Sequence, residues 1–227
     1  MVAAVVFDMD GVIVATEQYW VEEERAILET ALPAGHDVDP HDIMGVNVHD
    51  QYDMLAAEYE MQVDREGYFA LFDETAERVY ERADLMPGFH DLLDALRGRA
   101  LPLGVCTSSY PRWIDIVFEA HDLTGRFDEV LSAADIEVPG KPEPDVYEAI
   151  AGRLGVDPAE MVVVEDSTNG VAAAAASGAY TIGYAANAHD GTDHSPADEV
   201  VADPETLRER LLALVEGEHE RTGDAVP

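Results

Sequence analysis

The chain has 227 residues, 47% of them hydrophobic, which is enough for one large core or two unequal ones and excludes a disordered chain despite the charge. With 48 acidic and 13 basic residues the formal net charge is −35, so the chain would repel the phosphates of a nucleic acid. The single cysteine, Cys106, excludes an intrachain disulfide, and no run approaches the roughly 18 apolar residues of a membrane-spanning helix.

The first apolar run, Val2–Phe7, predicts a buried strand that ends in Asp8 and Asp10. If the strand conformation continues, both carboxylates face one space, where a proton or a cation must relieve their repulsion. From about Ala15 to Leu85 the periodicity is helical and contains no convincing strand. "TEQYWVEEERAILETAL", with Thr16 as N-cap, is one helix; "DQYDMLAAEYEM" and "REGYFALFDETAERVYERA" are others. A four-helix insertion is expected here, forming a small domain over 15–85 within a core made of 1–14 and 86–227. Gly35 and Gly45 mark its turns and "LMPGF" its exit. Four more runs predict strands: Leu101–Cys106, Glu129–Ser132, Met161–Val164 and Tyr180–Tyr184. Helical patterns separate most of them, in "PRWIDIVFEAHDL", "EPDVYEAIAGRLGV" and "NGVAAAAASGA". The alternation predicts an α/β fold, a doubly wound parallel sheet of Rossmann-like type covered on both faces. The polar "VEGEHERTGDAVP" at the end is expected to fray.

Acidic residues are spread along the whole chain, a pattern that fits a solvated surface in high salt, where screening lengths shrink to a few ångströms. "MVAAVVFD" lacks the basic start and the length of a signal peptide, so a cytoplasmic location is expected, with no nucleic-acid or membrane partner and a monomeric state. Cys106 closes an apolar run and reads as a buried structural thiol. His41, His49 and His189 have no metal-ligand spacing. Trp20 and Trp113 sit in helical patterns and read as packing residues, with substrate stacking the alternative for Trp20.

Ligands in open parallel sheets bind beyond the carboxyl ends of the strands. Asp8, Asp10 and Gly11 follow the first strand, and Thr107, Ser108 and Ser109 the second. Lys141 follows the third, and Glu165 and Asp166 the fourth. Asp8, Glu165 and Asp166 offer hard oxygen ligands for a small divalent cation, for which Mg²⁺ is the natural choice. One aspartate is then free to attack phosphorus as a nucleophile. Thr107 or Ser108 can donate to phosphoryl oxygens, and Lys141 can neutralise charge shared by nucleophile and phosphate. Lys141 is the single lysine in the chain.

These segments resemble the four motifs of the haloacid dehalogenase superfamily. "FDMDGV" resembles its D-x-D-G-x-(V/T) signature and "VCTSS" the second motif. "GKPEPDVY" and "VVVEDSTNGVAAAAASG" resemble the third and fourth. The insertion resembles the C1-type helical cap of the β-phosphoglucomutase-like branch. The resemblance implies Asp8 as nucleophile and Asp10 as general acid and base, its backbone carbonyl touching Mg²⁺. Thr107, Ser108 and backbone N–H groups near Met9 and Asp10 would hold the phosphate. Lys141 would bridge Asp8 and the phosphate, and Glu165 and Asp166 would position the metal, directly or through water. The second aspartate argues against dehalogenation. The resemblance thus implies a Mg²⁺-dependent phosphatase of a small phosphorylated metabolite, such as a sugar phosphate or phosphoglycolate. A hexose phosphomutase is the alternative, and a non-catalytic binding module the alternative of another class. In "MGVNVHD", Val48 stands where the mutases carry a phosphate-gripping arginine, and Ala15 stands where an aspartate is usual after motif one. Asn47 and His49 are the expected substrate-reading residues of that turn.

Overall fold

β1 (Ala4–Phe7) is buried at all four positions, because it has a strand on each side and a helical layer on each face. The computed structural model describes residues 1–40, 43, 48–188 and 191–217, apart from the side chains of residues 17 and 50. β4 (Leu103–Thr107) and β6 (Met161–Glu165) flank β1 in parallel register, with Phe7 opposite both Val105 and Val164. β5 (Glu129–Ser132) lies outside β4, and β7 (Tyr180–Tyr184) and β8 (Glu199–Val201) lie outside β6. All neighbouring pairs in this six-stranded sheet are parallel.

The strand period of two divides the core. Val5, Phe7, Val105 and Val164 face one side, under α4 (Phe89–Arg97), α5 (Pro111–Ala120) and α8 (Pro204–Glu216). Ala4, Val6, Cys106 and Val163 face the other, under α6 (Asp145–Leu154) and α7 (Thr168–Ala176). The sheet is therefore doubly wound, as the alternation of strands and helices predicts.

Between β1 and β4 lies the helical insertion, with α1 (Glu17–Ala31), α2 (Val48–Glu58) and α3 (Arg65–Arg82). Among the described residues it holds three α-helices, where four are expected from the sequence; Gly45 lies outside those residues. The chain enters and leaves it through a two-stranded antiparallel ribbon, β2 (Val14–Ala15) with β3 (Asp84–Leu85). Strands of two residues display no period, so the sequence does not reveal them. β8 is short and partly exposed, and escapes for the same reason. Helix α4 has a readable signal: Phe89, Leu92, Leu93 and Leu96 are buried at i, i+3, i+4 and i+7.

The insertion and the sheet share one hydrophobic cluster, which runs from Val5 and Phe7 to Tyr68, Phe72 and Tyr80. Trp20, Tyr80 and Trp113 pack at its junction, with ring centroids 5.8–6.3 Å apart. Asp73 of α3 pairs with Arg112 of α5 and accepts a bond from Trp113 Nε1 at 3.0 Å. No helix among the described residues is long and apolar enough to cross a membrane.

Candidate active site

The backbone N–H of Asp8 donates to the Val164 carbonyl at 2.9 Å, which extends the β1–β6 ladder one residue beyond Phe7. The chain then turns, with Ile13 N and Val14 N donating to the Met9 carbonyl and Gly11 at φ +75°. The strand thus ends before Asp10, but the turn still brings Asp8 and Asp10 to one cavity.

Lys141 Nζ donates to Asp8 Oδ1 and to Glu165 Oε1, each at 2.5 Å, and to the Cys106 carbonyl at 3.3 Å. Glu165 is fully buried, and its Oε1 also accepts from the Tyr147 hydroxyl at 2.6 Å. Its Oε2 accepts from Ser167 Oγ at 3.1 Å. Burial opposes the charge of Lys141, but the Asp8 and Glu165 carboxylates outweigh it and hold the ammonium above its ordinary range. Burial pushes Asp8 well above the usual carboxylate range against the pull of Lys141, and the charges of Glu165 and Asp10 add to the push. The Asp10 carboxyl is raised by burial too, opposed by the hydroxyls that donate to it. Those come from Ser109 (2.6 Å), Thr16 (2.9 Å) and Tyr80 (3.3 Å). Thr16 does occupy the N-cap position of α1, but its hydroxyl makes no capping bond; it is committed to Asp10.

One oxygen each from Asp8, Glu165 and Asp166 lie within 4.8 Å of one another. Four carboxylates here face one ammonium, and the donors are hard oxygens, so the residues fit a small divalent cation. Two glycines make room for this set. A Cβ on Gly11 would stand 1.8 Å from Asp166 Oδ2, and one on Gly170 would stand 2.1 Å from the Glu165 carboxylate oxygens. Asn187 Nδ2 donates to the Gly11 carbonyl at 2.9 Å, and His194 Nε2 donates to the Asp166 carbonyl at 2.7 Å.

The cavity above this cluster has a volume of about 150 Å³, room for a small organic group. Asp8, Asp10, Thr107, Ser108, Lys141 and Asp166 all line it from the sheet side, and Glu165 lies behind Lys141. Trp20, Glu24, Val48, Gln51, Phe72 and Tyr80 line it from the insertion. His49 is not among its lining residues: its ring stacks on Phe69 with centroids 5.4 Å apart, and Gln51, two residues on, reaches the cavity instead. Asn47, the other residue expected to read substrate, lies outside the described residues, as do His41 and His189.

Sequence reasoning missed the hydroxyls of Thr16 and Tyr80 around Asp10, the Tyr147 bond to Glu165, and Glu24 and Gln51. Tyr147 closes the "GKPEPDVY" segment, so its position carried a signal. Tyr80, Glu24 and Gln51 stand on helices outside the four motifs, Gln51 directly after the "MGVNVHD" turn, and only the packing of the insertion on the sheet brings them here.

A doubly wound sheet with a buried aspartate–lysine–glutamate cluster at its carboxyl edge defines a hydrolase of the haloacid dehalogenase type. The haloacid dehalogenase-like hydrolase family matches residues 2–178, and the chain belongs to that family. It is similar to the phosphorylated carbohydrates phosphatase of Thermotoga maritima, with 33% identity over 177 residues, 77% of this chain and 81% of that one. It is also similar to hexitol phosphatase B of Escherichia coli, with 30% identity over 183 residues, 77% and 80% of the two chains. Among solved structures it resembles β-phosphoglucomutase of Clostridium difficile, with a TM-score of 0.77, 21% identity, and coverage of 96% of this chain and 98% of that one. At that identity the likeness is one of fold.

Proposed function

We propose that this protein is a Mg²⁺-dependent phosphatase that hydrolyses a small phosphorylated metabolite through an aspartyl phosphate on Asp8. The observation that carries this reading is the Lys141 ammonium bound between Asp8 and Glu165 at 2.5 Å from each, in the wall of the cavity that Asp8 and Asp10 also line. The phosphatases among the relatives support the same reaction class.

An Asp8 oxygen attacks phosphorus and the bond from phosphorus to the ester oxygen breaks. Asp10 gives its proton to that leaving oxygen; its burial favours the protonated form this step needs. Asp10 then takes a proton from water, which attacks the aspartyl phosphate, releases inorganic phosphate and restores Asp8. Thr107, Ser108 and backbone N–H groups near Met9 and Asp10 hold the phosphoryl oxygens, and Lys141 balances the charge that gathers between Asp8 and phosphate. Asp8, Asp166 and the Asp10 carbonyl would hold Mg²⁺. Glu165, whose oxygens already accept from Lys141, Tyr147 and Ser167, would act on it through water. The ion supplies charge neutralisation at the phosphoryl group. The insertion, residues 15–85, serves as a cap that excludes water while the ester is bound.

The second reading is a hexose phosphomutase, whose reaction would use the same Asp8 and Asp10. That reaction needs a grip for a second phosphate. Lys141 is the one basic side chain among the described residues that line the cavity, and Val48 stands where the grip is expected. The test is Asp8→Asn. Hydrolysis of a panel of phosphate esters in Mg²⁺ and molar KCl should fall by at least about a thousandfold. Hydroxylamine should trap an acyl phosphate in the parent and not in the variant. Normal turnover by a verified Asp8→Asn protein would remove the mechanism.

A further inference from the structure

We infer that Glu24 sets the charge of the leaving group: with Gln51 and Trp20 it forms a subsite for an uncharged, polyhydroxylated body and turns away esters that carry a second anionic group. The inference rests on the phosphatase reading and concerns the same cavity.

Trp20 and Glu24 are four residues apart on α1, so they share a helix face, and both line the cavity. Glu24 is 5% exposed. Beside it the wall is apolar, made by Val48, Phe72 and the Trp20 ring. Gln51, 2% exposed, also reaches the cavity with its amide fixed at both ends. Its Nε2 donates to the Ile43 carbonyl at 3.1 Å, and its Oε1 accepts from the Tyr68 hydroxyl at 3.2 Å. Glu24 and Gln51 thus stand as polar groups in a wall that Val48, Phe72 and Trp20 make apolar, and the charge of Glu24 adds to burial in raising the Tyr68 hydroxyl behind Gln51 above its ordinary range.

The balance of charge decides what this patch accepts. The one cation among the described lining residues is Lys141, which lies on the sheet side and is bound to Asp8. A carboxylate or second phosphate in the body of the ester finds no cation among the described lining residues that the insertion supplies. It meets the Glu24 carboxylate where little water screens the two, and like charges there repel far more than in bulk water. The hydroxyls of a polyol do the opposite: they donate to a carboxylate, and such charge-assisted bonds are strong. The C–H face of the same polyol covers the Trp20 indole. A site built to receive hydroxyl donors discriminates steeply against a body that lacks them.

The experiment compares kcat/KM for sorbitol 6-phosphate, phosphoglycolate and glucose 1,6-bisphosphate in the parent and in Glu24→Gln, with p-nitrophenyl phosphate as a general phosphatase substrate. The parent should favour sorbitol 6-phosphate over each dianionic-bodied or carboxylate ester by at least about tenfold. Glu24→Gln keeps the shape and removes the charge. It should shrink that preference at least about fivefold, with a gain on phosphoglycolate and a loss on sorbitol 6-phosphate. A purely structural Glu24 would scale all esters by one factor, and an unchanged ratio overturns the inference. So does a parent that prefers phosphoglycolate or the bisphosphate. Val48→Lys places a cation on the same wall without touching Glu24. It should move the ratio in the same direction, and it decides the matter if Glu24→Gln does not fold by circular dichroism. Hydrolysis of p-nitrophenyl phosphate without charge discrimination defeats this inference alone; hydrolysis of none of the four esters defeats the phosphatase reading and the inference with it.

Discussion

Gly170 leaves the space that the Glu165 carboxylate fills: a Cβ there would lie 2.1 Å from both carboxylate oxygens. The relationship predicts the outcome of Gly170→Ala. Alanine favours a helix over glycine by about 1 kcal/mol, so α7 itself would gain. Glu165 would have to move, however, and with it the bonds from Lys141, Tyr147 and Ser167. Activity and metal affinity should each fall about 10- to 100-fold, the usual cost of disturbing the supports of a metal site. Phosphate-release kinetics and a calorimetric Mg²⁺ titration measure the two. Parental values for both would show that Glu165 tolerates displacement.

Lys141 holds two buried carboxylates at once. Lys141→Ala leaves them facing each other without a counter-charge. In the metal-free protein this should cost about 3 kcal/mol, read from urea denaturation, together with most of the activity. Lys141→Arg restores the charge, but a planar guanidinium is wider than an ammonium and does not fit the point between Asp8, Glu165 and the Cys106 carbonyl. Stability should recover more than turnover does. If both variants matched the parent in turnover, Lys141 would have no part in the reaction.

The sheet side of this site was legible in the sequence because its residues stand at or beyond strand ends, and strand ends are marked by apolar runs that stop. Asp8 and Asp166 follow a strand directly, Thr107 and Glu165 are the last residues of theirs, and Lys141 lies in the segment between β5 and α6. The insertion side was not. Its turn, "GVNVHD", suggested His49, yet the His49 ring stacks on Phe69 and it is Gln51 that lines the cavity. Helical periodicity says which face of α1 or α2 is buried, but not whether a buried face meets a core or a cavity. Glu24 illustrates the difference: a glutamate in an acidic helix reads as solvated surface, and only the packing of α1 over the sheet puts it inside. Thr16 was placed correctly as a cap position, and its hydroxyl proved to serve Asp10.

A divalent cation should stabilise the folded chain, because it binds the assembled carboxylates and not the unfolded ones. Mg²⁺ at about 100 times its Kd should add about 2.7 kcal/mol, or several degrees in Tm. Asp166→Asn removes a donor from the set and should abolish most of that increment without lowering the Tm of the metal-free protein. Thermal melts with Mg²⁺ and with a chelator provide the comparison. An equal increment in parent and variant would exclude Asp166 as a ligand.

Cys106 is fully buried, and burial pushes its thiol up to about 12. At pH 8 the thiolate fraction is therefore negligible and the sulfur is out of reach of reagents. An aromatic disulfide reagent should leave the native protein unlabelled and react fully in denaturant. Because this is the chain's one cysteine, the slow labelling of native protein should follow global unfolding. Rapid labelling under native conditions would show a local opening of β4.

The last prediction concerns salt. The structure pairs several arginines with carboxylates at the surface, among them Arg78 with Glu23 and Arg126 with Asp94. Thirteen basic residues cannot offset 48 acidic ones, so the chain carries a large excess of negative charge. Added salt acts on both kinds of interaction. It weakens the exposed ion pairs, but each of these is worth about 0–1 kcal/mol at most. It also screens the self-repulsion of a net charge of −35, a larger and more widely distributed effect. The screening length falls from about 10 Å at 0.1 M to about 3 Å at 1 M, less than the spacing of many surface charges. The second effect should win, and Tm should rise steadily between 0.1 M and 2 M KCl. Chloride is the better choice for this experiment, because sulfate would also strengthen apolar burial and confuse the two causes. A surface-charge variant that exchanges several exposed Asp and Glu for Asn and Gln should have a higher Tm at low salt and a shallower salt dependence. A Tm that stays flat or falls with KCl would mean that the acidic surface does not limit stability.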